Sequence, residues 1–205
     1  MSRPSHSGRE ETRDAKQRPR GQTLAEFGVT ISLLLVVLLG IFQVSYLIYQ
    51  QYVAVNLARE GANIILRPTA DNKSFDQAAA AIRAALADPQ FDSDTRLILS
   101  VVRLGDDPGP NFGNPIIIQR HAWGMPTGAS VLGDPPSDSY FTTADDQNYA
   151  AKRPATDQSI QAKLPNDLTL VPRQLVYVAE IYRKRRDIVP LGVELPDSLY
   201  SVAYF

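Results

Sequence analysis

Glu26 is the residue whose position asks for chemistry. It stands among Leu24, Phe27, Val29 and Ile31, at the head of a stretch from Phe27 to Ala58 that holds no charged residue. An ionised carboxylate at bilayer depth costs several kcal/mol, on the order of 3 at the centre of a span and less towards the interface, and such groups generally have a specific partner. Two readings are open: a headgroup-level glutamate in a first helical turn, favoured by the helix dipole, or one half of a charge pair.

The other chemistry-bearing residues form no recognisable centre. Asp106 and Asp107 near Asn111 and Asn114, Asp92 with Asp94, and Asp145 with Asp146 offer hard oxygen ligands. None has the spacing and glycine of an EF-hand loop, and acidic turn residues are far commoner than cation sites. His121, beside Trp123, is the only histidine after the first 21 residues, so no histidine cluster can hold zinc. No Gly-x-Ser-x-Gly elbow or oriented base and nucleophile is present. His121 and Trp123 therefore read as packing or contact residues. Cysteine is absent, which excludes disulfides and thiolate chemistry. We expect no catalytic residue, no metal site and no cofactor. A net charge of -1 over 205 residues implies neither nucleic acid nor an acidic substrate.

The elements that position Glu26 are legible. A helix through the uncharged stretch exceeds the roughly 30 Å hydrocarbon core of a bilayer, so it can span. Ahead of it Arg3, Arg9, Arg13, Lys16, Arg18 and Arg20 outnumber Glu10, Glu11 and Asp14. The positive-inside rule puts this tail in the cytoplasm and exports the chain beyond the span. The apolar stretch is too long for a secretory signal core and is not closed by a small-x-small site, so it reads as a retained anchor. Proline-free sequence continues through Tyr49 to Leu66, with Val55, Ala58, Ala62 and Ile65 at helical spacing, before Arg67-Pro68 stops the helix.

Beyond it, Ser74 and Gln77 signal the start of an alanine-rich helix to Ala87, with Ile82 and Leu86 on one face. Strands are predicted at Arg96 to Leu104, Pro115 to Arg120, Gln174 to Arg183 and Ser198 to Phe205. In the third, Leu175, Tyr177, Ala179 and Ile181 share one face, and Val176, Val178 and Glu180 the other. Helices first and strands later give an α+β class, an antiparallel sheet laid on a helical stem. Gly105 to Asn114 and His121 to Pro172 are punctuated stretches expected at the outward end, where a partner can read them. Arg183-Lys184-Arg185-Arg186 reads first as a solvated strand end that discourages edge pairing, and second as a basic patch for anionic lipid or an acidic neighbour.

The stretch Arg20-Gly21-Gln22-Thr23-Leu24-Ala25-Glu26-Phe27-Gly28, its Leu/Val run, Gly40-Ile41-Phe42 and Ala58-Arg59-Glu60-Gly61-Ala62 resemble the TadE family of pseudopilins from tight-adherence (Flp) pilus systems. Gly28 stands where alanine is common in that family, and the resemblance ends near Ala62. It implies a lollipop-shaped pilin plan and cutting by a prepilin peptidase between Gly21 and Gln22, where glycine lets the extended backbone approach the peptidase closely. It also implies that Glu26, beside Phe27, pairs with the terminal amine of a neighbouring subunit and sets the stagger between subunits.

The expected organisation is a cytoplasmic basic leader over 1–21 that is removed, a membrane helix over 22–48, a stem helix over 49–67 and an exported α+β domain over 68–205. The expected function is that of a minor pseudopilin in pilus assembly. Its expected partners are membrane lipid, the prepilin peptidase, other pilins and pseudopilins, and the assembly platform. The alternative is an uncleaved single-pass anchor in the cytoplasmic membrane that presents an exported protein-binding domain.

Overall fold

The computed structural model describes residues 22–66, 74–87, 89–125, 128–133, 138–143, 148–166, 168–184 and 198–205. The leader, Gly21, the Arg67-Pro68 stop, Asp145-Asp146 and Arg185-Arg186 lie outside them. The architecture is α+β: a long apolar helix, then small helices, then a four-stranded antiparallel sheet. Helix α1 runs Gln22–Leu66, ending where the sequence pattern places its end. The chain divides into two units after Phe42.

In the first unit, α1 is apolar on every side. Leu24, Phe27, Val29, Leu33, Val36 and Ile41 are exposed, as are the side chains between them apart from the half-buried Gly40. The rise from Gln22 to Phe42 is about 30 Å, one hydrocarbon thickness. A helix apolar all round has no face to give to water, so lipid or other helices must cover it. Thr30 Oγ1 donates to the Glu26 carbonyl at 2.8 Å and Ser32 Oγ to the Gly28 carbonyl at 2.9 Å. These back-bonds satisfy hydroxyl groups that hydrocarbon would leave unpaired.

In the second unit, strands β1 (Thr95–Leu104), β2 (Pro115–Gly124), β3 (Val176–Lys184) and β4 (Ser198–Tyr204) pair in the order β2-β1-β3-β4, all antiparallel. Helices α2 (Ser74–Leu86) and α3 (Phe91–Asp94) precede the sheet. Leu97, Leu99 and Val101 of β1, Ala179 and Ile181 of β3 and Ala203 of β4 form one core with Ala58, Ala62 and Ile65 of α1 and Phe75, Ala78, Ala79 and Ile82 of α2. Alternation along the strands sends their neighbours to the opposite face.

That opposite face is buried too, and here the sequence reading needs correction. Val102, Ile117, Val176 and Val178 pack against Leu132, Phe141, Ile160 and Leu170, all from the stretch expected to stand at the outward end. The described part of that stretch is a second covering layer. It has no helical or strand period because its apolar residues are held one at a time between turns. Ala151 donates to the Ile118 carbonyl at 2.7 Å and Ala162 to the Pro115 carbonyl at 2.9 Å, which ties the layer along the free edge of β2. Asn111, fully buried, donates to the Pro154 and Asp157 carbonyls at 2.9 and 2.7 Å and accepts from Gln161 at 2.9 Å.

The stretch also begins later than expected, because His121 to Gly124 continue β2. Arg96 pairs with Gly124, whose φ of +86° and absent side chain allow the Thr95 carbonyl to come within 1.9 Å of where a Cβ would stand. Any larger residue would collide there with backbone.

Candidate assembly helix and its supporting packing

Two sets of residues on α1 bear on function, one at its head and one in its second half. At the head, Thr23, Leu24, Ala25, Glu26 and Phe27 are all exposed in the first two turns. Glu26 therefore projects a carboxylate beside the exposed rings and branched chains of Phe27 and Leu24. Gly28 has open space where a Cβ would be, so nothing among the described residues explains its lack of a side chain. Gln22 begins the helix.

The second set, Ala58-Arg59-Glu60-Gly61-Ala62, splits by helical geometry. Ala58, Gly61 and Ala62 are buried, whereas Arg59 and Glu60 are exposed. A Cβ on Gly61 would lie 2.7 Å from Ile82 Cδ1 of α2, 3.6 Å from Ala179 Cβ of β3 and 3.7 Å from Leu99 Cδ2 of β1. Small residues here let α1 approach α2 and the sheet at once, where a larger side chain would hold them apart.

We expect Gly61→Leu to destabilise the folded unit by about 2–3 kcal/mol through overpacking. Gly61→Ala should be nearly neutral. Its helix-propensity gain of about 1 kcal/mol offsets the displacement of one flexible methyl. Thermal unfolding of the purified chain, followed by fluorescence of its single tryptophan, checks both.

His121 and Trp123 form part of a packing cluster. Their rings meet edge to face at 4.6 Å, and Tyr149 stacks on His121 at 4.0 Å. The Tyr149 hydroxyl donates to Asp76 at 2.9 Å, and Asn148 Nδ2 donates to Ser74 Oγ at 3.2 Å, which joins the loop layer to the start of α2. Of the acidic residues of the sequence reading, Asp92, Asp94 and Asp106 are engaged structurally. Asp92 pairs with Arg83 and Asp106 with Arg103, each at 2.7 Å, and Ser93 donates to Asp94 at 3.1 Å. Among the described residues no three His, Asp or Glu side chains gather as a metal site. Arg183 is half-buried and Lys184 exposed at the end of β3.

The charge that sequence reasoning underrated is Glu180. It sits in the middle of β3, between Ile98 of β1 and Val202 of β4, and is completely buried. Ser130 Oγ donates to one of its oxygens at 2.8 Å and the Val131 amide to the other at 3.3 Å. Ser130 Oγ in turn accepts from the Leu132 amide at 3.2 Å. Burial, followed by the nearby charge of Glu180, pushes the Tyr200 phenol well above its ordinary 10.0. Strand alternation puts Glu180 on the face of Val176 and Val178 but carries no signal that this face is covered. The signal lay in the loop that covers it.

Residues 21–63 match the model of the TadE-like protein family, a span that takes in Gly21, Glu26, all of the exposed apolar helix and the Ala58 to Ala62 segment. That family is associated with Tad pili. No curated protein and no solved structure matches the chain significantly.

Proposed function

We propose that the chain is a minor pseudopilin of a tight-adherence pilus, made with its basic leader in the cytoplasm and its sheet domain exported across the inner membrane. A prepilin peptidase removes residues 1–21 by cutting between Gly21 and Gln22. The Gln22 amine then lies four residues before Glu26, and the carboxylate of one subunit pairs with the amine of the next as the helices associate. The protein works structurally, by assembly, with lipid, the peptidase, other pilins and pseudopilins and the assembly platform as partners.

The observation that carries this reading is Glu26 in the first turns of α1, five residues after Gly21, on a helix whose exposed surface up to Phe42 is apolar on every side. The family match over the same residues supports it. Pairing accounts for a charge that lipid disfavours, and helix association accounts for apolar surface that water disfavours. The stem signature fits the same reading, since Ala58, Gly61 and Ala62 seat the helix on the domain it carries.

Intact mass and amino-terminal sequencing of the chain, expressed with and without the peptidase, test the proposal. The expected result is a peptidase-dependent start at Gln22. An intact leader in the presence of demonstrably active peptidase would replace this reading with that of an uncleaved anchor presenting a binding domain.

A further inference from the structure

We propose that the outer edge of β4 is a docking site for an extended, acidic segment of a protein partner, which adds to the sheet as a fifth strand and places a carboxylate on Arg59. The inference is independent of leader cleavage, and the intact-mass result does not bear on it.

β4 is the last strand of the described sheet. Tyr177 and Phe205 exchange both backbone hydrogen bonds, at 2.9 and 3.0 Å, and the β3–β4 register continues without a bulge. In an antiparallel pair such bonded residues alternate, so Ala203 and Ser201 also turn their backbone groups towards β3. Val202 therefore turns its amide and carbonyl outward. At Tyr200 the same alternation is visible directly, because Gln51 Nε2 reaches across from α1 to the Tyr200 carbonyl at 3.1 Å. That bond closes one end of the edge, and among the described residues Val202 lies in the open part that no other segment pairs with.

The open part borders a groove of about 600 Å³ between β4 and α1, lined on the helix side by Val55, Arg59 and Asn63. These lie four residues apart along one helix face, apolar, cationic and amide in turn. On the strand side the groove runs beside Ser201 to Phe205, about the length of five residues of extended chain. Val202 supplies one reciprocal pair of backbone bonds, Val55 an apolar contact, and Asn63 a donor and an acceptor. Arg59 is exposed and makes no ion pair among the described residues. Its guanidinium fork suits a carboxylate. A second copy of this chain is the poorer occupant: edge-to-edge pairing about Val202 would bring two Arg59 side chains towards the same seam.

The test uses the full chain in detergent micelles and the peptide acetyl-Thr-Val-Glu-Val-Thr-amide as probe. Companion peptides carry Lys in place of Glu, or Pro in place of the second Val. The acidic peptide should slow hydrogen exchange at the Val202 amide by about tenfold. The lysine peptide should bind about fivefold more weakly, and the proline peptide should give little protection because it lacks a strand donor. Arg59→Glu, a change at an exposed position, should reverse the preference between the acidic and lysine peptides. Absence of slowing at saturating peptide would overturn the proposal, as would slowing indifferent to the peptide's charge. Slowing that tracks protein concentration without peptide would overturn it too, by assigning the edge to a second copy instead.

Discussion

Replacing Glu180 with Ala lowers the stability of the folded unit by about 3 kcal/mol, a fall in Tm on the order of 6–12 °C for a domain of this size. The side chain is fully buried at the centre of the sheet and is the acceptor for both Ser130 Oγ and the Val131 amide. Truncation leaves those donors facing a cavity, and each buried group left unsatisfied costs about 1–3 kcal/mol before the lost contacts are counted. The damage should extend beyond the strand. Ser130 also accepts from the Leu132 amide, and Leu132 is a fully buried member of the core on that face.

Glu180→Gln keeps the volume and one acceptor and should lose only about 1 kcal/mol. Thermal unfolding followed by Trp123 fluorescence gives the comparison. Near-equal stabilities of the Ala variant and the parent would show that the loop layer does not depend on this anchor.

If the proposed pseudopilin role is right, Glu26→Gln is expected to leave membrane insertion intact and to impair incorporation into the pilus. The substitution keeps the side chain's size and one acceptor oxygen and removes its charge, so helix α1 should form and span as before. The Thr30 back-bond goes to the residue 26 carbonyl and is untouched. Inserting the neutral amide into lipid is cheaper than inserting the carboxylate, which works against any loss of insertion. On the proposed pairing, what disappears is the attraction for a cationic amine, which surroundings of low dielectric strengthen. Alkaline carbonate extraction should leave the variant in the membrane fraction. Sheared fibre preparations should lose it, a drop of at least about tenfold from the parent. Wild-type piliation by the variant would remove Glu26 from assembly and leave its charge to be explained by the helix dipole alone.

The two predictions draw on different layers of the molecule, and they differ in how far the sequence made them readable. Glu26 could be found without coordinates because its neighbours are linear: an uncharged run begins directly after it, and Gly21 precedes it at a fixed spacing. Glu180 could be placed on the face it shares with Val178 by strand alternation, yet nothing local says that face is covered. The cover comes from residues 128 to 172, whose buried members, Leu132, Phe141, Ile160 and Leu170, obey no period. Periodicity detects apolar residues aligned by a repeating backbone. It cannot detect those positioned by separate turns, bridges and side-chain clamps such as Asn111.

The sequence by itself determined the long apolar helix and its end at Leu66, the alanine-rich α2, the four strands to within a few residues and the α+β class, because each depends on local spacing of apolar side chains and on where proline and glycine interrupt it. The tertiary structure alone decided that the sheet is covered on both faces, that Ala58, Gly61 and Ala62 face inward while Arg59 faces a groove, that His121 and Trp123 pack with Tyr149, and that Glu180 ties the loop layer to the sheet. Those facts depend on pairings between segments distant in the chain, where burial is set by what arrives from elsewhere and a residue's own neighbours carry no record of it.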